Sequence, residues 1–215
     1  MSEETFTPAL GRLAPARFFD YVVALTRERL WRGLTVMHLA PRPGDSILDV
    51  GCGTGSLALL AARVEPQATI VGLDPDPEIL TVAREKDADG RVRWLTGLGD
   101  DLVASVGAES MDGVTSSLVL HQCPMDVKRA ILASMFAVLR PGGRLVIADF
   151  GLQRTPLMRL AFRFVQFADG KTDTQPNADG VLPELISAAG FTDVREADVV
   201  ATINGTISIY TARKL

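Results

Sequence analysis

The chain has 215 residues, 47% of them hydrophobic and 22% charged, which is apolar mass enough for one full core and excludes a disordered or collagen-like protein. Its 22 Lys and Arg against 26 Asp and Glu give a formal charge of −4 with no basic run, so nucleic acid, which binds chiefly through phosphate neutralisation, is not expected as a partner. The two cysteines, Cys52 and Cys123, form neither a CxxC pair nor a zinc spacing, no His/Asp/Glu cluster shows metal-ligand spacing, and no apolar run approaches the ~18–20 residues that span a bilayer, so no metal and no membrane span are expected.

Residues 1–15 are polar and contain prolines, and they lack the apolar core of a signal peptide, which points to a cytoplasmic protein. Phe18, Val22, Leu25, Leu30, Leu34 and Met37 recur at helical spacing and predict a helix ending at Ala40, where "PRPGD" breaks it. Strands and helices then alternate: "SILDV" (46–50) as a strand, "SLALLAARV" (56–64) as a helix, "ATIVGLD" (68–74) as a strand, and "PEILTVAREK" (77–86) as a helix opened by proline. "RVRWLTG" (91–97) and part of "DGVTSSLVL" (112–120) are predicted strands, "MDVKRAILASMFAVLR" (125–140) an amphipathic helix stopped by Pro141, and "RLVIADF" (144–150) a buried strand. Beyond it, residues 155–168 read as an amphipathic helix, 169–180 as a polar loop, and 182–190 as a helix ending at Gly190. Two strands then meet around Asn204-Gly205, a strong hairpin signal.

This rhythm predicts a mostly parallel sheet with helices on both faces. Right-handed crossovers place the C-terminal ends of the parallel strands along one edge, where open α/β sheets bind ligands. The candidate residues are those that follow each strand: Asp49–Gly55, Asp74, Gly97–Asp101, Ser116–His121 and Asp149–Gly151.

Gly51, Gly53 and Gly55 follow a strand and open a helix, so backbone amides can approach a ligand without a Cβ in the way and the helix N-terminus favours an anionic group. A dinucleotide turn requires G-x-G-x-x-G, and here Ser56 stands where its third glycine belongs, which argues against a nicotinamide-type oxidoreductase. A small ligand carrying an amine and a carboxylate suits Asp49 and the turn better. Asp74, 19 residues after Gly55 at the end of the second strand, is placed to accept hydrogen bonds from both ribose hydroxyls of an adenosine group.

"LDVGCGTG" (48–55) resembles the first motif of class I S-adenosylmethionine-dependent methyltransferases, and "GLDPDPEIL" (72–80) their second. "LRPGGRLVIADF" (139–150) and "AGFTDVRE" (189–196), with "APARFFDYV" upstream, are similar to the ubiquinone/menaquinone branch, so the resemblance covers roughly residues 15–213. It implies a Rossmann-like, seven-stranded, mostly parallel sheet with an antiparallel C-terminal hairpin, in one domain over 1–215. That domain would carry an N-terminal helical segment (1–40) and a lid insertion (152–180). It also implies S-adenosylmethionine as cofactor and a small-molecule methyl acceptor of apolar or aromatic character.

Carried over by position, Asp49, Gly51, Cys52, Gly53 and Gly55 form the turn around the methionine end, with Cys52 as a small filler. Asp74 holds the ribose, Pro75 and the Leu98-Gly99 stretch lie by the adenine, and Ser116 and Ser117 line the sulfonium side. The family's Gly-Asp-Ala after the third strand is "TGLGDDL" here, with Leu98 at the acid's position; either Asp100 or Asp101 substitutes, or backbone and apolar contacts suffice. Its Tyr-Asp near the N-terminus is Phe19-Asp20, unless Tyr21 replaces the tyrosine.

Methyl transfer from a sulfonium needs alignment above all, and a base only when the acceptor must lose a proton. His121, after the fourth strand, is the candidate base; ordering of its own loop is the alternative role. His38 is expected to be structural. On helix 155–168, Leu157, Leu160, Ala161, Phe164 and Phe167 form an apolar set among Arg154, Arg159 and Arg163, which would suit a lid, an anionic membrane surface or plain core packing. The competing overall reading is a protein that keeps the fold and cofactor pocket without turnover.

Overall fold

The computed structural model describes residues 27–215; the expectations placed on residues 1–15, on Phe18, Val22 and Leu25 of the first helix, and on Phe19, Asp20 and Tyr21 lie outside them. Its elements in chain order are α1 (Glu28–Leu39), β1 (Ser46–Val50), α2 (Ser56–Val64), β2 (Thr69–Asp74), α3 (Pro77–Lys86), β3 (Val92–Thr96), α4 (Leu102–Val106) and β4 (Met111–Ser117). A 3₁₀ turn (Leu120–Gln122), α5 (Met125–Val138), β5 (Leu139–Phe150), α6 (Pro156–Asp169), α7 (Lys171–Ala178), α8 (Leu182–Ala188), β6 (Thr192–Thr202) and β7 (Gly205–Arg213) follow.

The seven strands form one sheet in the order β3-β2-β1-β4-β5-β7-β6. β1 to β5 pair in parallel, while β7 runs antiparallel to both β5 and β6. This is the expected mostly parallel sheet with its antiparallel hairpin. Alternation along β1 shows why both faces need cover. Ile47 joins Trp31, Leu39, Leu57 and Phe162 on the α1–α2–α6 side, and Leu48 joins Leu132, Met135 and Ile186 on the α5–α8 side.

Polar ties fix the periphery. Asp76 caps α3 by accepting from the amides of Glu78 (2.8 Å) and Ile79 (3.4 Å), with Pro77 in the first turn, where its missing N–H costs nothing. His38 pairs through Nε2 with Asp198 Oδ2 at 2.5 Å and ties α1 to β6, the structural role expected of it.

Three local differences from the sequence reading have physical causes. Residues 171–178, expected as loop, are α7; Gly170 (φ +85) ends α6, and the new helix buries Thr174 and Asn177, whose side chains bond Gly170 O (2.6 Å) and Phe150 O (3.1 Å). β5 begins at Leu139 rather than 144, because Leu139 pairs with Met111 before the chain bulges out at residues 140–143. The short α4 is too brief to show a hydrophobic period.

Candidate functional site

The C-terminal edge of the parallel strands holds a cavity of about 300 Å³. Gly51, Cys52, Gly53 and Thr54 form one wall, and Leu73, Asp74, Pro75 and Ile79 the next. Leu98, Gly99 and Asp100 follow β3. Ser117, Leu118, Val119, Gln122 and Cys123 close the far side, with Pro124 just before α5, Val127 and Ile131 on it, and Trp31 and Arg32 of α1.

The β1–α2 turn takes its shape from backbone pairing. Gly51 and Cys52 donate to Leu73 O at 2.8 and 3.0 Å, which holds the turn against the end of β2. Gly53 has φ +52, and a Cβ there would have nothing nearer than Ile79 at 3.9 Å, so its glycine leaves the backbone open to the cavity. Gly55 differs: a Cβ there would lie 2.3 Å from the Trp94 ring, and the residue is absent from the cavity wall. Its glycine serves helix–strand packing. Gly55→Ala is therefore expected to lower stability by about 1–3 kcal/mol while leaving ligand affinity in the folded fraction unchanged, measured by urea unfolding alongside calorimetry.

Two acids flank the turn. Asp74 is 8% exposed, and its two oxygens accept from Gly53 N (2.8 Å) and Asp76 N (3.0 Å), which leaves each oxygen a spare lone pair toward the cavity. Burial raises its pKa; those two amides oppose the shift. Asp49 is 1% exposed behind the turn, and neither carboxylate oxygen has a hydrogen-bond partner among the described residues. Burial lifts its pKa to about 7, the Arg32 charge opposing, the Asp74 charge adding and the nearby Ala58 amide opposing to a smaller degree. A buried carboxylate left in this state awaits a cation or a donor.

Of the other expected site residues, Pro75, Leu98, Gly99 and Ser117 line the cavity. Asp100 lines it as well, and Asp101 does not. Cys52 lines it with a thiol whose pKa burial raises, so it remains a neutral filler. Ser116 is not brought to the wall; its hydroxyl donates to Val50 O at 2.7 Å and staples β4 to β1.

His121 is likewise turned away from the cavity. It is 5% exposed, Nδ1 lies 2.7 Å from Asp149 Oδ1 and Nε2 lies 3.5 Å from Asp169 Oδ2, with Phe150 edge-on at 5.0 Å. Burial alone would lower its pKa, but the charge and hydrogen bond of Asp149, then those of Asp169, outweigh it and raise the value to about 9. An imidazolium held between two carboxylates is a poor proton acceptor at neutral pH.

Asp149 is the residue the sequence reading named at the sheet edge without a role. Its Oδ2 accepts from the amides of Val119 (3.1 Å), Leu120 (2.7 Å) and His121 (3.3 Å), and its Oδ1 from Phe150 N (2.7 Å). It thereby shapes the far wall, where Leu118 adopts φ +56. Lys128, fully buried, donates to Cys123 O (2.5 Å) and Asp173 O (2.7 Å), tying that wall to α7. The sequence signal for Asp149 was its position, an acid closing a central strand as Asp49 and Asp74 do. No residue of the expected lid, 152–180, lines the cavity.

A parallel sheet with β7 inserted beside β5, an open glycine turn after β1 and a carboxylate at the end of β2 define the fold class of the S-adenosylmethionine-dependent methyltransferases. Phosphoethanolamine N-methyltransferase 2 of Haemonchus contortus, solved with phosphomonomethylethanolamine and S-adenosylhomocysteine, superposes with a TM-score of 0.72 at 16% identity, covering 93% of this chain and 56% of that one. Residues 17–170 match the sequence profile of the ubiE/COQ5 methyltransferase family, and the chain belongs to that family.

Among its relatives, a 2-phytyl-1,4-naphtoquinone methyltransferase of Thermosynechococcus vestitus is 37% identical over 130 residues, 60% of this chain and 56% of that protein. A demethylmenaquinone methyltransferase of Symbiobacterium thermophilum is 29% identical over 222 residues, 91% of this chain and 86% of the relative. Several relatives are matched over between half and two thirds of their length.

Proposed function

We propose that this chain transfers a methyl group from S-adenosylmethionine to a small apolar or aromatic acceptor. The observation that carries the reading is Asp49, a buried carboxylate with no well-formed hydrogen bond among the described residues, set behind an open glycine turn; the turn and Asp74 line the cavity and Asp49 stands just behind that wall. The residues fit the cofactor: Asp49 supplies negative charge for an ammonium, Gly53 an uncovered backbone, and Asp74 two acceptors for a vicinal diol. Pro75, Ile79 and Leu98 provide apolar surface for a purine, and Asp100 stands where it can accept from an exocyclic amine.

When bound, S-adenosylmethionine supplies an electrophilic methyl on a sulfonium, a leaving group that needs no proton. The far wall then has to position the acceptor and exclude water. Leu118, Val119, Pro124 and Val127 give it an apolar surface, with Gln122 and Cys123 as its polar points. Burial pushes the Cys123 thiol up to about 11, so it acts as a neutral contact and not as a base. With His121 held as a cation outside the cavity wall, it is given no proton-accepting step, and an acceptor that must lose a proton gives it up to water. The relatives named for naphtoquinone and demethylmenaquinone methylation support a ring-bearing acceptor of this kind.

Titration calorimetry with S-adenosylhomocysteine tests the reading. An ammonium beside Asp49 favours its carboxylate, so binding at pH 7 should release roughly half a proton, seen as a dependence of the heat on buffer ionisation enthalpy. The release should fade above pH 8, where the free protein is already ionised. No heat at millimolar ligand would sink the cofactor assignment; binding without proton release would remove Asp49 from it. A methyl-acceptor screen read by mass spectrometry then names the substrate.

A further inference from the structure

The face of α6 turned from the sheet is apolar and is covered by none of the described residues. Phe162 and Val165 bury the inner face, yet Leu157, Leu160, Phe164 and Phe167, spaced three or four residues apart on the outer one, are 75%, 60%, 60% and 84% exposed. Ile203, at the tip of the β6–β7 hairpin, is 61% exposed. α6 itself packs on β7, where Met158 S accepts from the Thr206 hydroxyl at 3.1 Å. A contiguous patch of this kind marks an interaction site.

Beside the stripe lies a second cavity, of about 340 Å³, lined by Arg159, Arg163 and Lys171 with Gln166 and Gln175. Among the described residues no carboxylate lines it. Asp169, the sole acid of α6, is turned inward to His121, and the Arg159 Nε donates to a neutral acceptor, Gln153 O, at 3.0 Å. The Gln166 amide donates to Gln175 at 2.9 Å and braces the two helices around the cations. In a chain of formal charge −4, this is a local reversal of sign.

We infer that α6 is an interfacial helix that docks the protein on an anionic lipid surface. The apolar stripe enters the boundary between headgroups and acyl chains, and Arg159, Arg163 and Lys171 meet lipid phosphates in the adjoining cavity. Charge complementarity selects this occupant. A second copy packed face to face would gather like cations around a two-fold axis, and a free phosphate would fill the cavity but leave four large apolar side chains in water. The inference is independent of the methyl-transfer reading, since none of these residues lines the cavity at the strand ends.

Flotation of the full chain with phosphatidylcholine vesicles, with and without phosphatidylglycerol, tests it. Binding should require the anionic lipid and fall at high salt. Arg159→Gln and Arg163→Gln should each weaken it about fivefold. Phe164→Ser combined with Phe167→Ser should weaken it at least tenfold. All four substitutions are expected to leave the affinity for S-adenosylhomocysteine unchanged, and all but Arg159→Gln, which also loses its bond to Gln153 O, the melting temperature, so failure of docking and failure of the cofactor site are read separately. The inference is overturned by equal binding to both vesicle types, by no binding, or by variants that bind as tightly as the parent. It is also overturned if inorganic phosphate alone raises the melting temperature without vesicle binding, if light scattering shows a dimer that the Phe variants dissolve, or if vesicles bind only after removal of residues 1–26.

Discussion

His121→Gln is expected to lower the unfolding free energy by about 3–5 kcal/mol at neutral pH, because it removes the cation from between two buried carboxylates and leaves Asp149 to its backbone amides and the Lys128 charge. Asp149 is 1% exposed and cannot regain that compensation from water. The pH dependence has a definite sign. The pKa of His121 is about 9 in the fold against an ordinary value of 6.5. Its stabilisation is therefore complete below about pH 6.5 and is lost as pH rises through 9. Urea unfolding of parent and variant at pH 6, 7.5 and 9.5 should show the difference between them shrinking toward the highest pH. Asp49, which also titrates, is common to both proteins and cancels. A difference that stays constant or grows would remove the ion pair from the account. Turnover per folded molecule should fall far less than the 100-fold or more that loss of a general base costs, and a loss of that size would restore His121 to the chemistry.

Asp74→Ala is expected to weaken S-adenosylhomocysteine binding about a hundredfold, the cost of losing two charge-assisted hydrogen bonds to a ribose diol. The substitution also takes the acceptors from Gly53 N and Asp76 N, so the turn and the start of α3 loosen together. Asp74→Asn, which retains one carbonyl oxygen, should fall between parent and alanine variant. Calorimetry reads both, and an unchanged affinity in the alanine variant would remove Asp74 from the ribose.

The parts of this molecule that could be read from the chain are those whose cause is local. The strand–helix rhythm is a period, the glycine turn is a backbone demand, and Asp74 and Asp49 are set by their place at strand ends; none needs knowledge of a distant partner. α7 was hidden because Thr, Asp, Asn and Pro are turn formers, and the helix is held by burying Thr174 and Asn177 against the body. The role of Gly55 depends on Trp94, a residue of another strand that fills the space where its Cβ would be. His121 reads as a base from its position alone, and its charge state is decided first by Asp149, 28 residues on, and then by Asp169, which the chain delivers 48 residues later. Helix 155–168 was legible as amphipathic, but an apolar face seen in sequence has no stated direction. Only the packing of Phe162 and Val165 shows that a second apolar face points outward.

The sheet order also bears on how the molecule assembles. β7 sits between β5 and β6, so β6 emerges first yet has no place on the parallel body until the strand that follows it has been inserted. Until then β5, whose Val146, Ile147 and Ala148 are fully covered in the finished fold, presents an open edge of unpaired amides and carbonyls next to apolar side chains. Joining β7 to β5 closes a loop of more than fifty residues, a slow event by its entropy. The hairpin at Asn204-Gly205 is the compensating device. It pre-pairs β6 with β7 locally, so that a finished two-stranded ribbon, rather than two separate strands, seals the edge.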